Sequence, residues 1–340
     1  MASGAPLNFA AAAQKPATQK TPLRVVQLEG SVVLKIAKHC KENASATSVV
    51  TGQLLGLDVG QTLEVTDCFP FPGNVEDETD VTDGESYQLE MMRCLREINA
   101  DNNMVGWYQS SVSGSFQVVE IIETFVNYME NLERCICIVY DLTASYTGAL
   151  GLKAIRLSDT FVEAYREGSL TIEKVRAKSL SWRDVFVEIP ITVHNSPLAV
   201  ALMAEIEPPS TTTQQDFDRL NLSIAPVLEK NMEFLNDCLD DLMVEQNKLS
   251  VYQQQYRRLQ QQIAQFKLQR VQENRMRVAA GEEKLPEDPP EGMFKPVAEP
   301  NQLDSMLLSN QMSSYCDHIN TASKQTVEKL HLMEALQQKA

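Results

Sequence analysis

The chain changes texture once, at Pro208-Pro209-Ser210 and the three threonines that follow. Before that point, short apolar or alternating runs interleave with amphipathic stretches. After it the pattern is wholly helical. Such a chain folds as an α/β domain followed by long helices, and half-apolar helices need a surface to lie on. The 340 residues leave room for about two domains at ~150 residues each. The predicted order is a disordered tail over 1–22, an α/β domain over 23–205 and a linker over 206–220. A helical segment over 221–280, a Pro-rich acidic linker over 281–300 and a C-terminal helix over 301–340 complete it. Hydrophobic residues at 43% suffice for a packed core. The net charge of −16 repels phosphate and argues against a free-standing nucleic-acid binder, though not against a local basic patch. No apolar run approaches the ~18 residues of a membrane span, and Met1–Pro22 lacks the apolar stretch of a signal peptide.

In the first part, Val25 to Leu28 reads as a strand, and Gly30-Ser31 offers an N-cap to a helix burying Val33, Ile36, Ala37 and Cys40. Val49–Leu57 and Thr62–Phe71 read as strands joined by a turn at Asp58-Val59-Gly60-Gln61. Glu76 to Glu85 reads as a solvated acidic loop, since the EF-hand pattern is absent. Tyr87–Ile98 is then a helix with Met91, Cys94, Leu95 and Ile98 as its buried stripe. Met104–Tyr108, Cys135–Tyr140 and Leu152–Leu157 read as strands, Phe116–Tyr128 as a helix and Val185–Val193 as one more alternating run. The seven cysteines are scattered, which suits reduced thiols rather than a disulfide framework. Cys135 and Cys137, two apart, share one strand face and read as small core hydrophobes.

In the second part Leu228, Met232, Leu235, Leu239 and Leu242 recur at steps of four and three. Tyr252, Tyr256, Leu259, Ile263 and Phe266 continue the rhythm. Prolines between 286 and 300 break it, and Leu303, Leu307, Ile319 and Leu330 mark its return. Residues 229–248 carry six acids and two bases, whereas 251–280 carry six bases and one acid. Opposite charge on successive helical stretches can set partner choice in a bundle.

Chemistry is sparse. No Gly-x-Ser-x-Gly elbow accompanies Ser110 or Ser111, and no P-loop occurs. Cys316-Asp317-His318 has the residue types of a triad, but helix neighbours point about 100° apart, so a solvated helix surface is the better reading. The most informative segments are Gly52-Gln53-Leu54-Leu55-Gly56 and Val105-Gly106-Trp107-Tyr108-Gln109-Ser110-Ser111. On these the chain resembles the MPN (JAMM) family, whose fold is a curved β-sheet flanked by helices. Its catalytic members use His-x-His-Pro, a later Asp and an upstream Glu to hold zinc and deprotonate its water. The resemblance places Gln109 and Ser111 at the histidine positions, Val112 at the proline, Ile122 at the Asp and Val49 at the general base. It therefore implies no zinc, no cofactor and no enzyme.

Within the inactive branch, further segments are similar to one of the two MPN members of eukaryotic translation initiation factor 3. They are Glu64 to Pro72, Tyr87 to Arg93, Glu188-Ile189-Pro190-Ile191 and Asn310-Gln311. That resemblance implies a cytoplasmic scaffold supporting recruitment of the small ribosomal subunit, initiator tRNA and mRNA. Its partners would be the other MPN member, the f subunit, and, through a helical bundle, PCI subunits. Two alternatives stand beside it: an inactive ubiquitin-binding module in a proteasome-lid- or signalosome-like complex, and RNA contact along Arg257 to Arg277. The RNA reading would need Tyr252, Tyr256 and Phe266 free for stacking, while their place on the apolar stripe predicts burial.

Overall fold

The computed structural model describes residues 22–43, 49–72, 81–101, 103–132, 134–146, 150–205 and 225–280, most of 286–302, and 303–337, apart from a few single positions. Alternating side chains build an eight-stranded sheet from β1 (Val25–Glu29), β2 (Thr51–Val59), β3 (Thr62–Pro70) and β4 (Met104–Ser111), then β5 (Ile136–Asp141), β6 (Leu152–Leu157), β7 (Phe186–Ile189) and β8 (Ile191–His194). Their spatial order is β7-β6-β5-β4-β2-β3-β1-β8. Gly60, at φ +65°, makes the tight turn between β2 and β3.

The run 185–193, expected as one strand, is two. Pro190 has no N–H for a ladder, so the chain leaves β7 on one edge of the sheet and enters β8 on the other. Its carbonyl still accepts from the Val26 N–H at 3.0 Å. Only a strongly curled sheet allows one residue to connect its two edges, so the sheet is nearly a barrel.

Helices flank this sheet: α1 (Gly30–Glu42), α2 (Val81–Glu97), α3 (Val119–Asn131), α4 (Leu142–Tyr146), α5 (Asp159–Arg166), α6 (Ile172–Ala177) and α7 (Pro197–Glu205). Helix α1 begins at Gly30 with Glu29 as its N-cap, without a side-chain cap bond, so Ser31 is not the cap. Its buried positions are Gly30, Val32, Ile36 and Cys40; Ile36 and Cys40 are as expected, and Val33 and Ala37 lie at the margin of the stripe. Helix α2 starts six residues earlier than expected, so Asp83 and Glu85 lie in it; Glu76 to Asp80 fall outside the described residues. Met91 and Leu95 are half-buried, but Cys94 and Ile98 are exposed, which corrects the predicted stripe.

Two apolar cores lie on either side of the sheet. One packs α1 against β1–β5 through residues such as Leu28, Ile36, Leu54, Tyr108 and Ile138. The other gathers Trp107, Ile122, Phe125, Cys135, Cys137 and Phe161. Both cysteines are fully buried there; burial pushes the Cys135 thiol up to about 12 and the Cys137 thiol well above its usual range. They are structural and unreactive.

The helical stretch after 224 is a single 56-residue helix, α8 (Ala225–Ala280), about 84 Å long at 1.5 Å per residue. The acidic and basic stretches are therefore two halves of one helix. The chain then returns beside it, with Phe294 edge-on to Phe266 at 6.2 Å, and enters α9 (Leu303–Gln337). Tyr315 of α9 stacks on Phe234 of α8 at 5.7 Å. Leu303, Met306 and Leu307 belong to the same core as Trp107, so the last helix completes the α/β domain.

Candidate functional site

The segment that carries the resemblance forms the end of β4 and the strands on each side. Antiparallel pairing sets Thr51 opposite Gln109, and parallel pairing sets Gln109 beside Val139 and Ser111 beside Asp141. The start of β2 is tied to the end of β4 twice: the Ser110 N–H donates to the Val50 carbonyl at 2.8 Å, and the Val50 N–H donates to Ser110 Oγ at 2.9 Å. Alternation along β4 puts Trp107, Gln109 and Ser111 on one sheet face and Tyr108 and Ser110 on the other.

The family-like residues here serve the scaffold. Trp107 stacks on Tyr128 at 5.1 Å and meets Phe125 at 4.5 Å. The Tyr128 hydroxyl donates to Gln53 Oε1, and Gln53 Nε2 donates to the Gly106 carbonyl, so this fully buried amide is satisfied at both ends. Tyr108 bonds His39 Nδ1 at 2.9 Å from the opposite face.

Of the four residues that the resemblance sets at the JAMM ligand and base positions, Gln109 and Ser111 are buried at the strand end, and Ile122 is fully buried in the core under α3. Val49 is 60% exposed. An amide, a hydroxyl and two alkyl groups are not a donor set for zinc, which takes Cys, His and carboxylate ligands. Among the described residues no cluster of three or more His, Cys, Asp or Glu side chains converges to hold a metal ion.

A cavity of about 260 Å³ opens beside Ser111. Its floor is the C-terminal end of β4 and β5, with Ser111, Val139 and Asp141. Its roof comes from elsewhere in the chain: Val227 and Asn231 from the start of α8, and Asp317, His318 and Gln325 from α9. His318 Nε2 lies 3.6 Å from Asp141 Oδ2. Burial lowers the His318 pKa; Asp141 and Asp317 act upward on it and Lys153 downward, with burial dominant. The sequence alone puts all of Cys316-Asp317-His318 on a solvated helix face. Cys316 and Asp317 are exposed, but His318 is half-buried against the domain, because α9 lies across the strand ends. Gly114, at φ +70°, lets that helix approach: a Cβ there would come within 2.6 Å of His318 Nε2 and 2.9 Å of Ser314 Oγ. Nearby, Gln311 donates to the Ser115 hydroxyl and Asn310 to the Trp182 carbonyl.

The helical stripe divides into packed and open positions. Leu303 and Leu307 are buried; Leu228, Leu235, Leu242, Tyr252, Leu259, Ile263, Phe266 and Ile319 are half-buried. Met232, Leu239, Tyr256 and Leu330 are exposed. Met243, Val251, Leu268, Met276 and Leu332, outside the predicted stripe, are exposed as well. The continuous helix turns through more than one apolar face, which a single heptad register hides. Tyr252 and Tyr256 stack on each other at 5.9 Å, and Phe266 lies between Phe294 and the Arg270 guanidinium. The predicted burial of all three aromatics therefore fails at Tyr256, which is 45% exposed.

A curled mixed sheet, with β4 ending beside the start of β2 and helices on both faces, defines an MPN-type domain. The family model described as JAB1/Mov34/MPN/PAD-1 ubiquitin protease matches residues 21–131. The model for the C-terminal region of eIF3h matches residues 145–340. Among curated relatives, the H subunit of eukaryotic translation initiation factor 3 from Arabidopsis thaliana is 53% identical, over 97% of both chains. That of Dictyostelium discoideum is 41% identical over 93% of this chain and 95% of its own. The H subunit of Nematostella vectensis is 39% identical over 93% and 95% respectively. The chain belongs to the H-subunit family of eukaryotic translation initiation factor 3.

Proposed function

We propose that the protein is a non-catalytic scaffold subunit of translation initiation factor 3. In this reading it works in the cytoplasm, where the assembled factor recruits the small ribosomal subunit, initiator tRNA and mRNA. The observation that carries it is the apolar surface that α8 and α9 leave open after packing on each other and on the domain. Each large side chain moved from water into a bundle contributes roughly 1.5–3 kcal/mol, so this surface favours association. PCI subunits would cover it, and the MPN domain would pair with the f subunit. None of the described helices is long and apolar enough to cross a membrane.

The positions that would carry zinc chemistry in the JAMM motif, Val49, Gln109, Ser111 and Ile122, offer neither ligands nor a base. The sites of action are instead partner helices. In this reading the chain divides by function into a tail over 1–22, an MPN domain over 23–205 and bundle segments over 221–280 and 301–340, with α9 shared between domain and bundle. The acidic and basic halves of α8 would fix which partner helix lies along which half.

The test is affinity purification of the tagged full chain from eukaryotic cells. Initiation factor 3 subunits should co-purify in stoichiometric yield. Recovery of the chain alone, or with proteasome-lid or signalosome subunits in their place, would contradict the reading.

A further inference from the structure

Helix α8 keeps one face open along most of its length. At about 100° per residue, Met232, Leu239, Met243, Arg257, Leu268 and Arg275 fall within about 40° of one another around its axis. All six are exposed. Other faces of the helix are already taken. Phe234 stacks on Tyr315 of α9, Cys238 is buried, and Phe266 meets Phe294 of the returning chain. Charge reverses along the open face. Glu229, Glu233 and Asp240 lie on one flank of its first half, whereas Arg257, Arg258 and Arg275 lie on the face or on that same flank in the second half. All six charges are exposed, and among the described residues none of them makes an ion pair.

We propose that in the free protein a second copy of the chain covers this face, α8 against α8 in antiparallel sense. A twofold axis between Gln253 and Gln254 sets Leu239 opposite the copy's Leu268, Met243 opposite Ala264 and Gln246 opposite Gln261. The same register brings Arg275 level with the copy's Glu233 and within about one turn of its Glu229. Symmetry makes each of these contacts twice, over about 65 Å of helix. The six acids of 229–248 then face the six bases of 251–280 at both ends of the pair. Parallel pairing would instead set acid against acid and base against base, so the charge reversal fixes the sense of association. This holds for the free chain, whatever covers the face in an assembly.

Sedimentation equilibrium of the purified full-length protein tests this. The mass should rise with concentration to that of two chains and stop there, because a twofold contact closes on itself. Leu239→Glu with Leu268→Glu should return it to one chain. Reversing the acids, by Glu229→Lys, Glu233→Lys and Asp240→Lys, should weaken the dimer about tenfold or more. Reversing the bases, by Arg257→Glu, Arg258→Glu and Arg275→Glu, should do the same. Mixed in equal amounts, the two reversed chains should pair with each other, since a wholly basic face then meets a wholly acidic one. Misfolded variants would not recover in this way. A monomer at about 100 μM, growth beyond two chains, a dimer that both reversals leave intact, or reversed chains that stay apart on mixing would overturn the pairing.

Discussion

His318 shows how much one side chain can carry here. Its pKa is lowered mainly by burial, against the opposing pull of Asp141. The folded state therefore favours the neutral imidazole, and the unfolded state takes up the proton first as pH falls. Stability from this contact is complete above the ordinary histidine value of about 6.5 and is lost as pH drops through the lower folded value. His39 shifts in the same direction, so global melting alone does not separate the two. Hydrogen exchange around Ser314–Ala322, corrected for intrinsic rates, should accelerate below about pH 6.5 in the native chain and lose that dependence in His318→Gln. Gly114→Ala tests the same joint from the other side. The left-handed backbone costs an L-residue about 1–2 kcal/mol, and its methyl would push against His318 and Ser314. Thermal unfolding should show at least that loss. At the end of β4, Gln109→His with Ser111→His should bring neither stoichiometric zinc, read by metal analysis, nor cleavage of ubiquitin chains. Ile122 is sealed in the core and Val49 is an alkyl group, so a third ligand and a base are still missing. The positions of Gln109 and Ser111 on one strand face are legible from alternation alone. The approach of His318 to Asp141 is not, because nothing local in either segment encodes a contact between residues so far apart in the chain.

Among the elements, the last helix has two working ends. Leu307 near its start is 3% exposed in the domain core, and Leu330 near its end is 52% exposed. Leu307→Ala should cost the isolated chain about 2–5 kcal/mol by denaturant unfolding, and Leu330→Ala about 0.5 kcal/mol or less. The same periodicity announces both residues, so sequence finds the helix and its stripe but not which half meets which surface. Elsewhere the misses have local causes. Helix α1 buries Val32 more deeply than Val33 or Ala37 because packing on the sheet, which periodicity does not specify, decides which flank of the stripe faces inward. Helix α2 extends back into a stretch whose acids suggest a loop, since acidic residues also suit a helix's first turns. Pro190 reads in sequence as a position inside one run, yet a residue without an N–H is where a ladder most easily ends. The continuity of α8 is legible in the sequence, since the apolar rhythm runs on through the reversal of charge and no glycine or proline interrupts residues 227–280.

At the scale of the molecule, a nearly closed sheet is bound to a helical extension that is both a core element and an open surface. The texture change in the sequence suggests a self-sufficient domain ending near residue 205. The structure instead puts Leu303, Met306 and Leu307 into that domain's core. A chain ended at Glu205 would leave their sites open, forgoing roughly 1.5–3 kcal/mol for each, and should unfold at lower denaturant than the full chain. Loss of assembly on truncation would then be ambiguous, so the central claim, that open helix faces and not the degenerate pocket do this protein's work, calls for surface variants of the full chain. The most direct measurement is quantitative co-purification of initiation factor 3 subunits with two variants of equal stability. Met276→Glu with Leu332→Glu, both on exposed apolar positions, should reduce recovery of the other subunits strongly. Gln109→Ala with Ser111→Ala should leave it unchanged. Full recovery with the helix variant, or loss confined to the pocket variant, would contradict the account.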